Sequence, residues 1–450
     1  MATEKKIISL TVKVGLVLFA VCILAPVSLM VLLRHAVPLQ TLRLLFSAGS
    51  ASLVAWEEVK MYSANKGAFL CECDMSSLRS DVCELKGDVR VILSNITIIA
   101  LLHPSVSVRR RSWRMKPHTT KNDGHALANV TEVLVSVTPS SPHVPECMAE
   151  SAAPAVVFSV GDYAGNMFHD FTDVLIPLFI TANRFHSDVH LLVSNAPPWW
   201  LDKYGPLLRG LSRHAVIDMD RQSAEVLCHP HVVVGLSFHK EMSIDTAKTV
   251  GGHYSMADFA RLARRSYGLE RDTAIQLRHG SDNIKSPRRP RLLIISRKTT
   301  RAFTNMGAVA QAAAMLGYEV IMGEAEQHSD MSAFARLVNS CDVLVGVHGA
   351  GLTNLVFLPP GAVVVQVVPL GGLEAMARDD FGEPAGDMGL GYVQYGIAVG
   401  ESTLAELYPR DRRVLRDLAL RSEYLVGQNV TLDVARFSGA LSRALELLHH

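Results

Sequence analysis

Three stretches combine residue types that could do chemistry. The first is Val347-His348-Gly349-Ala350-Gly351-Leu352-Thr353-Asn354, which closes an apolar run and opens what reads as a helix. Two glycines let a backbone approach a ligand closely, and free N–H groups at a helix start face an incoming anion. That suits a diphosphate, with His348 as donor to a phosphate oxygen and Thr353 or Asn354 as contacts to phosphate or sugar. A tight strand-to-helix turn uses the same glycines, and the full Gly-x-Gly-x-x-Gly signature is absent here. The second stretch is Ser296-Arg297-Lys298-Thr299-Thr300-Arg301, three cations and three hydroxyls directly after another apolar run. Arginine offers a planar fork that matches phosphate oxygens and lysine a point charge, so the run reads as a phosphate clamp or as a solvated loop. The third runs from Gly161 through Asn166, His169 and Asp170 to Asp173 and opens a long apolar helix. His169 and Asp173 are four apart and share a helical face, while Asp170 turns aside. A histidine or carboxylate there could take a proton from an acceptor hydroxyl. Core packing of the histidine and dipole-favoured carboxylates is the alternative.

A fourth feature, Asp218-Met219-Asp220, ends an apolar run, and carboxylates one residue apart can share a hard cation. The phosphate-type motifs lie far from it in sequence, and arginine, lysine and a helix start can carry the charge a metal would. The expectation is therefore a site with no metal and no cofactor.

Positioning these groups takes two sets of strands. After residue 150, strands are expected at Ala155–Val160, Val189–Ser194, His214–Met219 and His231–Ser237, with helices at Gly165–Arg184 and Ser255–Tyr267. Beyond the basic linker Ser286-Pro287-Arg288-Arg289-Pro290, strands are expected at Arg291–Ser296, Tyr318–Met322, Asp342–Val347 and Ala362–Val368. Helices at Asn305–Leu316, Met331–Asn339 and Leu352–Leu358 separate them. Strands apolar throughout and spaced by helices imply a parallel sheet covered on both faces. The fold class is α/β, two Rossmann-type domains facing a cleft, and ligands in such sheets bind beyond the carboxyl ends of the strands. The loops after Ile295, Met322, Val347 and Val368 are the suspects.

The chain of 450 residues is 49% hydrophobic, enough for two domains with substantial cores. Its 44 basic and 43 acidic residues balance to +1, which disfavours a general nucleic-acid binder. Val14 to Leu33 runs without a formal charge, and twenty helical residues rise about 30 Å, the thickness of a bilayer core. The run is too long for a typical signal peptide and reads as a transmembrane helix. Lys5, Lys6 and Lys13 precede it and Arg34 and Arg43 follow, a slight bias. Sequons at Asn95, Asn129 and Asn429 all lie beyond it and favour a lumenal body. The expected organisation is a cytoplasmic tail (1–13), the membrane anchor (14–33), a stem (34–70), an acceptor-side domain (71–288) and a nucleotide-sugar domain (289–450). Residues 103–147 read as irregular, with the basic run Arg109 to Arg114 as a solvated loop or a contact to an acidic polysaccharide. Six cysteines follow the span. Cys73 and Cys83 suggest a local staple, and Cys228 and Cys341 stand equally as free thiols or disulfides.

Taken together, these motifs resemble plant family 61 glycosyltransferases, in the grass clade of xylan arabinosyl- and xylosyltransferases. The likeness lies in Gly161 to Thr181, Leu293 to Asn305, Leu337 to Gly372, Phe381-Gly382-Glu383-Pro384 and Tyr408-Pro409-Arg410-Asp411. It implies a GT-B-like fold and transfer of a pentose, with inversion, from a UDP-sugar (UDP-arabinofuranose or UDP-xylose) to xylan or another polysaccharide in the Golgi. Arg297, Lys298, Arg301, His348, Gly349, Gly351 and Asn354 inherit donor-binding roles, and Asn166 and Asp173 lie on the acceptor side. His169 or Asp170 inherits the role of base. Asp162-Tyr163-Ala164 departs from the Tyr-Thr-like pair expected before Gly165-Asn166. Two alternatives stand beside this reading. One is a catalytically silent scaffold among synthase-complex proteins at the Golgi membrane. The other is an enzyme passing N-acetylglucosamine or xylose to a glycoprotein.

Overall fold

The computed structural model describes residues 70–102, 111–221, 225–277, 288–298, 300–324, 330–407 and 427–449. The expected membrane span, its flanking tail, nearly all of the stem, Arg109, Arg110, and Tyr408 to Asp411 fall outside them. Among the described residues, no helix is long and apolar enough to cross a membrane.

The first sheet contains β1 (Leu70–Asp74), β2 (Val82–Ile92), β3 (Thr97–Leu102), β4 (Arg111–Met115), β5 (Val133–Pro139), β6 (Ala149–Glu150), β7 (Ala155–Ser159), β8 (His190–Ser194), β9 (Ile217–Asp218) and β10 (Val226–Val234). Its main path runs β4-β5-β3-β2-β10-β7-β8-β9. The β10-β7-β8-β9 portion is parallel and Rossmann-like, whereas β2 joins β10 antiparallel and carries β3, β5 and β4 outward. This corrects the reading of 103–147 as irregular. Val133-Leu-Val-Ser-Val-Thr-Pro is a genuine strand flanked by turn residues that hide it. Arg111 to Arg114 is no loop but the sheet's edge strand, where charged side chains discourage further pairing. Its Arg114 meets Glu132 at 2.7 Å. The expected strand at 214–219 shrinks to two residues, and β10 starts five residues earlier than expected.

Two disulfides brace this half. Cys73 pairs with Cys83 across β1 and β2, and Cys147 pairs with Cys228, which is therefore not a free thiol. Cys71 and Cys341 are buried and unbonded.

After β7 the chain enters α1 (Met167–His169), widens into a π-helical turn (Asp170–Leu175) and continues as α2 (Ile176–Ala182). Every residue of the last two segments is buried, the apolar ones in the core and Asp170, Thr172 and Asp173 with hydrogen-bond partners that make burial tolerable. An unexpected helix, α3 (Pro198–Leu211), lies between β8 and β9, its signal masked by Pro197, Pro198 and Pro206. Helix α4 (Met256–Ser266) starts with a capping box between Ser255 and Asp258. Phe171 meets Phe259 of α4 edge-on at 6.1 Å and Phe357 at 6.3 Å, which ties this helical layer to the second half of the chain.

The second sheet is wholly parallel: β11 (Arg291–Ser296), β12 (Glu319–Glu324), β13 (Val343–Val347), β14 (Val363–Val368) and β15 (Gly391–Gly396), in the order β12-β11-β13-β14-β15. Helices α5 (Met306–Met315) and α6 (Met331–Asn339) connect its first strands, and a 3-10 helix (Ala350–Phe357) follows β13. Strand order reverses between β11 and β13, so the loops leaving these two strands splay apart and open a crevice. In the first sheet the same reversal falls between β7 and β10. The loops after β11, β13 and β7 carry the three motifs singled out above.

Candidate active site

At the β11/β13 reversal the structure brings His348, Gly349, Arg297 and Arg301 together. Gly349 has φ 140°, and a β-carbon there would lie 2.8 Å from Arg301 Nη1 and 3.1 Å from Arg297 Nη1. Only glycine leaves room for both guanidinium groups. Gly351 is less constrained, its nearest neighbour being Ile295 Cγ2 at 3.2 Å. Arg301 donates from Nη1 to the His348 carbonyl at 2.8 Å, and its own N–H donates to Gln428 O at 2.8 Å. Its φ of 56° is left-handed, a conformation a non-glycine residue holds at a cost of about 1–2 kcal/mol. Arg297 donates from Nε to Thr300 O at 2.8 Å. Among the described residues, no carboxylate forms an ion pair with either arginine. Burial lowers both pKa values, that of Arg301 to about 10 with Arg297 adding to the fall. Two adjacent, partly desolvated cations with no counter-ion among the described residues form a site suited to an anion.

Not all the predicted donor residues join them. Lys298 turns outward to Glu324, 2.7 Å away. Asn354 is buried, and its Nδ2 donates to Gly351 O at 2.9 Å, closing the turn from within. Thr353 Oγ1 and Asn354 Oδ1 are buried without a hydrogen-bond partner among the described residues. His348 is buried too, with Nδ1 2.8 Å from Gln366 Nε2 and Nε2 3.9 Å from Asp380 Oδ2.

The β7 loop builds the other half. Asn166 caps α1, its Oδ1 accepting from the Phe168 N–H at 3.2 Å. His169 Nδ1 lies 2.7 Å from Asp173 Oδ2, with the imidazole 30% exposed and the carboxylate 2%. Arg79 donates to Asp173 Oδ1 at 3.1 Å, bridges to Glu241 at 3.1 Å and stacks over Phe238. Tyr163 stacks on the His169 ring at 4.3 Å. A carboxylate so fixed holds Nδ1–H and leaves Nε2 as the basic nitrogen. Asp170, the other candidate base, points into the core. It accepts from Trp200 Nε1 at 2.8 Å, Tyr204 OH at 2.7 Å and the Gly165 N–H at 3.1 Å. Burial raises its pKa, but the carboxylate is saturated by structural donors and closed to solvent.

Phe381 links the two halves. Its ring meets Phe168 at 5.5 Å and His348 at 5.6 Å, and α1 packs against the 3-10 helix after Gly349. The base candidate and the cationic cluster thus share one aromatic neighbour. Arg79, Gln366 and Asp380 escaped sequence reasoning. Only Gln366, alone among the valines of β14, left a visible signal.

Asp218 accepts from the Asp220 N–H at 3.1 Å and meets Arg221 at 3.2 Å, while Asp220 accepts from the Asn195 N–H. Asp218 is committed to its own turn and Asp220 to the loop after β8. Among the described residues, the one metal-like grouping is Asp88 with Cys147 and Cys228, whose sulfurs are spent in the disulfide. Of the sequons, Asn95 and Asn129 are exposed, although Asn129 Nδ2 donates to Asp162. Asn429 is half-buried and accepts from the Ala302 N–H, beside the arginine cluster.

The sequence profile of the Glycosyltransferase 61 family matches residues 167–365, from the first residue of α1 into β14. The chain is 45% identical over 386 residues to alpha-1,3-arabinosyltransferase XAT3 of Oryza sativa subsp. japonica, covering 84% of this chain and 65% of that protein. It is 39% identical over 400 residues to beta-1,2-xylosyltransferase XYXT1 of the same organism, covering 84% of each. A crystal structure of the iron-containing dodecameric glycosyltransferase TibC from enterotoxigenic E. coli aligns with 70% of this chain and 81% of its own, at 13% identity. Its TM-score of 0.26 is too low to carry an argument. The extent of the likeness to XYXT1, across both sheets and all three motifs, establishes that the chain belongs to glycosyltransferase family 61.

Proposed function

We propose that this protein transfers a pentose, arabinofuranose or xylose, from a UDP-sugar to a xylan acceptor with inversion. The observation that carries the reading is the pair of half-buried guanidinium groups, Arg297 and Arg301, gathered at Gly349 with no carboxylate paired to them among the described residues. Their charge suits a diphosphate leaving group, which they would stabilise as negative charge develops in the transition state. Across Phe381, His169 Nε2 would take the proton of the attacking acceptor hydroxyl, while Asp173 stabilises the resulting imidazolium. One base and one displacement invert the anomeric carbon. The cationic pair takes over the charge neutralisation a metal would provide, so the reaction is expected to be metal-independent. The two sheets, each with a motif at its strand-order reversal, support a GT-B-like arrangement. Relatives named for arabinosyl and xylosyl transfer support the sugar class.

The same reading places the protein in the Golgi as a single-pass type II membrane protein with its body in the lumen. The apolar run at 14–33, the exposed sequons Asn95 and Asn129, and two disulfides suited to an oxidising compartment support it. Incubating the full chain with UDP-arabinofuranose, UDP-xylose or UDP-N-acetylglucosamine and a xylan oligosaccharide, with product mass as readout, tests the activity. Pentose addition that Arg301→Ala or His169→Asn abolishes is the expected result. Absence of both transfer and UDP binding in a folded sample would instead favour the scaffold.

A further inference from the structure

His169 depends on Asp173 for its orientation, and Asp173 depends in turn on a residue far away in the chain. The Asp173 side chain is only 2% exposed, so its carboxylate oxygens need protein donors in place of water. Oδ2 faces His169 Nδ1 at 2.7 Å, and Oδ1 accepts from Arg79 Nη2 at 3.1 Å. One oxygen serves the imidazole and the other is anchored by the guanidinium. Arg79 is itself fixed at both ends. Its Nη2 lies 3.1 Å from Glu241 Oε1, and Glu241 is held by the Thr172 hydroxyl, which donates to Oε2 at 2.9 Å. The guanidinium lies over Phe238, 4.3 Å from the ring centroid. At the main chain, the Arg79 N–H donates to Ser77 Oγ at 3.2 Å, and the Arg79 carbonyl accepts from the Lys121 N–H at 2.9 Å. The residue stands in the loop joining β1 to β2, which the Cys73–Cys83 disulfide closes across directly paired positions. The loop leaves past Gly235, whose φ is 88° and where a β-carbon would lie 2.1 Å from the Asp81 carbonyl oxygen.

We propose that Arg79 is a positioning residue for the transfer reaction: it holds the Asp173 carboxylate in the orientation that fixes His169, and so keeps Nε2 turned to the acceptor hydroxyl. The inference rests on the role of base proposed above for His169 and adds what keeps that base aligned. Charge balance agrees with it. Arg79 offsets one of the two neighbouring carboxylates, Asp173 and Glu241, and the imidazolium formed on proton transfer offsets the other.

The test is a double-mutant cycle on transfer by the full-length chain, with the xylan oligosaccharide varied at a saturating concentration of the UDP-sugar that the parent uses. Arg79→Met is expected to lower kcat about 10–100-fold, the order that misalignment of a reacting group costs, with KM for the acceptor within about threefold of the parent. Arg79→Lys keeps a cation without the planar fork and should recover part of the loss. In an Asp173→Asn background, adding Arg79→Met should change kcat by less than about twofold, because residues that act as a unit do not add. An unchanged kcat in Arg79→Met, or an equal loss in both backgrounds, overturns the proposal. A higher KM at parental kcat also overturns it, since Arg79 would then be an acceptor contact. Should Arg79→Met fail to fold, Arg79→Lys takes its place in the cycle under the same criteria. A parent that transfers no sugar refutes the proposed function, a separate outcome. Histidine-selective 15N spectra of the ligand-free chain then decide, with the His169 signals assigned through His169→Asn. A proton on Nδ1 alone in the parent and a mixture of tautomers in the Arg79 variant support the role, and the same spectrum in both refutes it.

Discussion

Replacing Arg301 by methionine should make the ligand-free protein more stable and, in the same step, a poorer UDP binder. Burial and the adjacent Arg297 pull the Arg301 guanidinium about 2.5 units below its ordinary value, to about 10. At about 1.4 kcal/mol per unit, this bounds the cost of holding the charge at neutral pH at about 3.5 kcal/mol. The sign follows from linkage. A base whose pKa falls on folding binds its proton less tightly in the folded state. Its charge therefore costs stability at pH 7, and the cost fades only as pH rises through about 10 towards the ordinary arginine value. Methionine keeps much of the packing but loses the bond to the His348 carbonyl, worth about 1.5–3 kcal/mol for a charged donor. The net expectation is a gain of about 1 kcal/mol, or about 1 °C in Tm for a chain of this size. UDP affinity should fall about 10–100-fold with the loss of a charge-assisted contact. Thermal unfolding with and without saturating UDP, alongside calorimetric binding, reads both quantities. UDP at a concentration that saturates the parent should raise the parent's Tm by more than the variant's. A variant less stable than the parent without ligand, yet binding UDP normally, would refute the argument, since Arg301 would then be a structural charge.

Asp170→Ala strands the donors of Trp200, Tyr204 and Gly165 and should cost about 3 kcal/mol or more, whereas Asp170→Asn should fold and keep kcat within about tenfold. A large kcat loss in a stable Asp170→Asn variant would make Asp170 the base after all. Because burial raises this carboxyl above 3.8, its stabilising effect belongs to pH below 3.8 and is lost as pH rises through the raised value, a dependence the asparagine variant should lack in urea titrations. Loop-closure entropy ranks the disulfides: Cys147→Ser, opening a separation of 81 residues, should cost about 4.5 kcal/mol, against about 2.7 for Cys73→Ser, which opens 10. Equal urea midpoints for the two variants would contradict that order. Transfer activity should survive EDTA and Asp218→Ala within about twofold, and an EDTA loss restored by a divalent cation would return the metal to the mechanism.

What could be read in advance followed the range of the interactions. The parallel strands of the second sheet are continuous apolar runs, so their positions were legible from Leu293 and Val343 to Val368. The pairing of His169 with Asp173 was legible for the same reason, because residues four apart share a helical face. Spacing alone does not say what covers the opposite face. Asp170 was a fair candidate base until α3, obscured by its three prolines, placed Trp200 and Tyr204 over it. Arg79 reaches Asp173 across 94 residues, from a segment whose role no local pattern announces. Strands β4 and β5 were lost among serine, proline and arginine because an edge of a mixed sheet needs only alternation over a few residues, and turn residues on either side swamp it.

Gln366 marks the boundary between what sequence can and cannot deliver. A glutamine in a run of valines signals a conflict between burial and polarity, and such conflicts persist where something resolves them. The sequence shows that a partner is required but not which one, since His348 lies on the preceding strand's loop and Tyr392 on the following strand. Parallel strands bring the three residues together only once their order is known. In the order β13-β14-β15, the loop beyond one neighbour and the start of the other fall on either side of the amide. The same order places Arg297 and Arg301, leaving β11, against Gly349, leaving β13. One topological fact, the reversal between β11 and β13, therefore turns dispersed motifs into a single cationic site, and its neighbour β14 sets the Gln366 amide against the histidine.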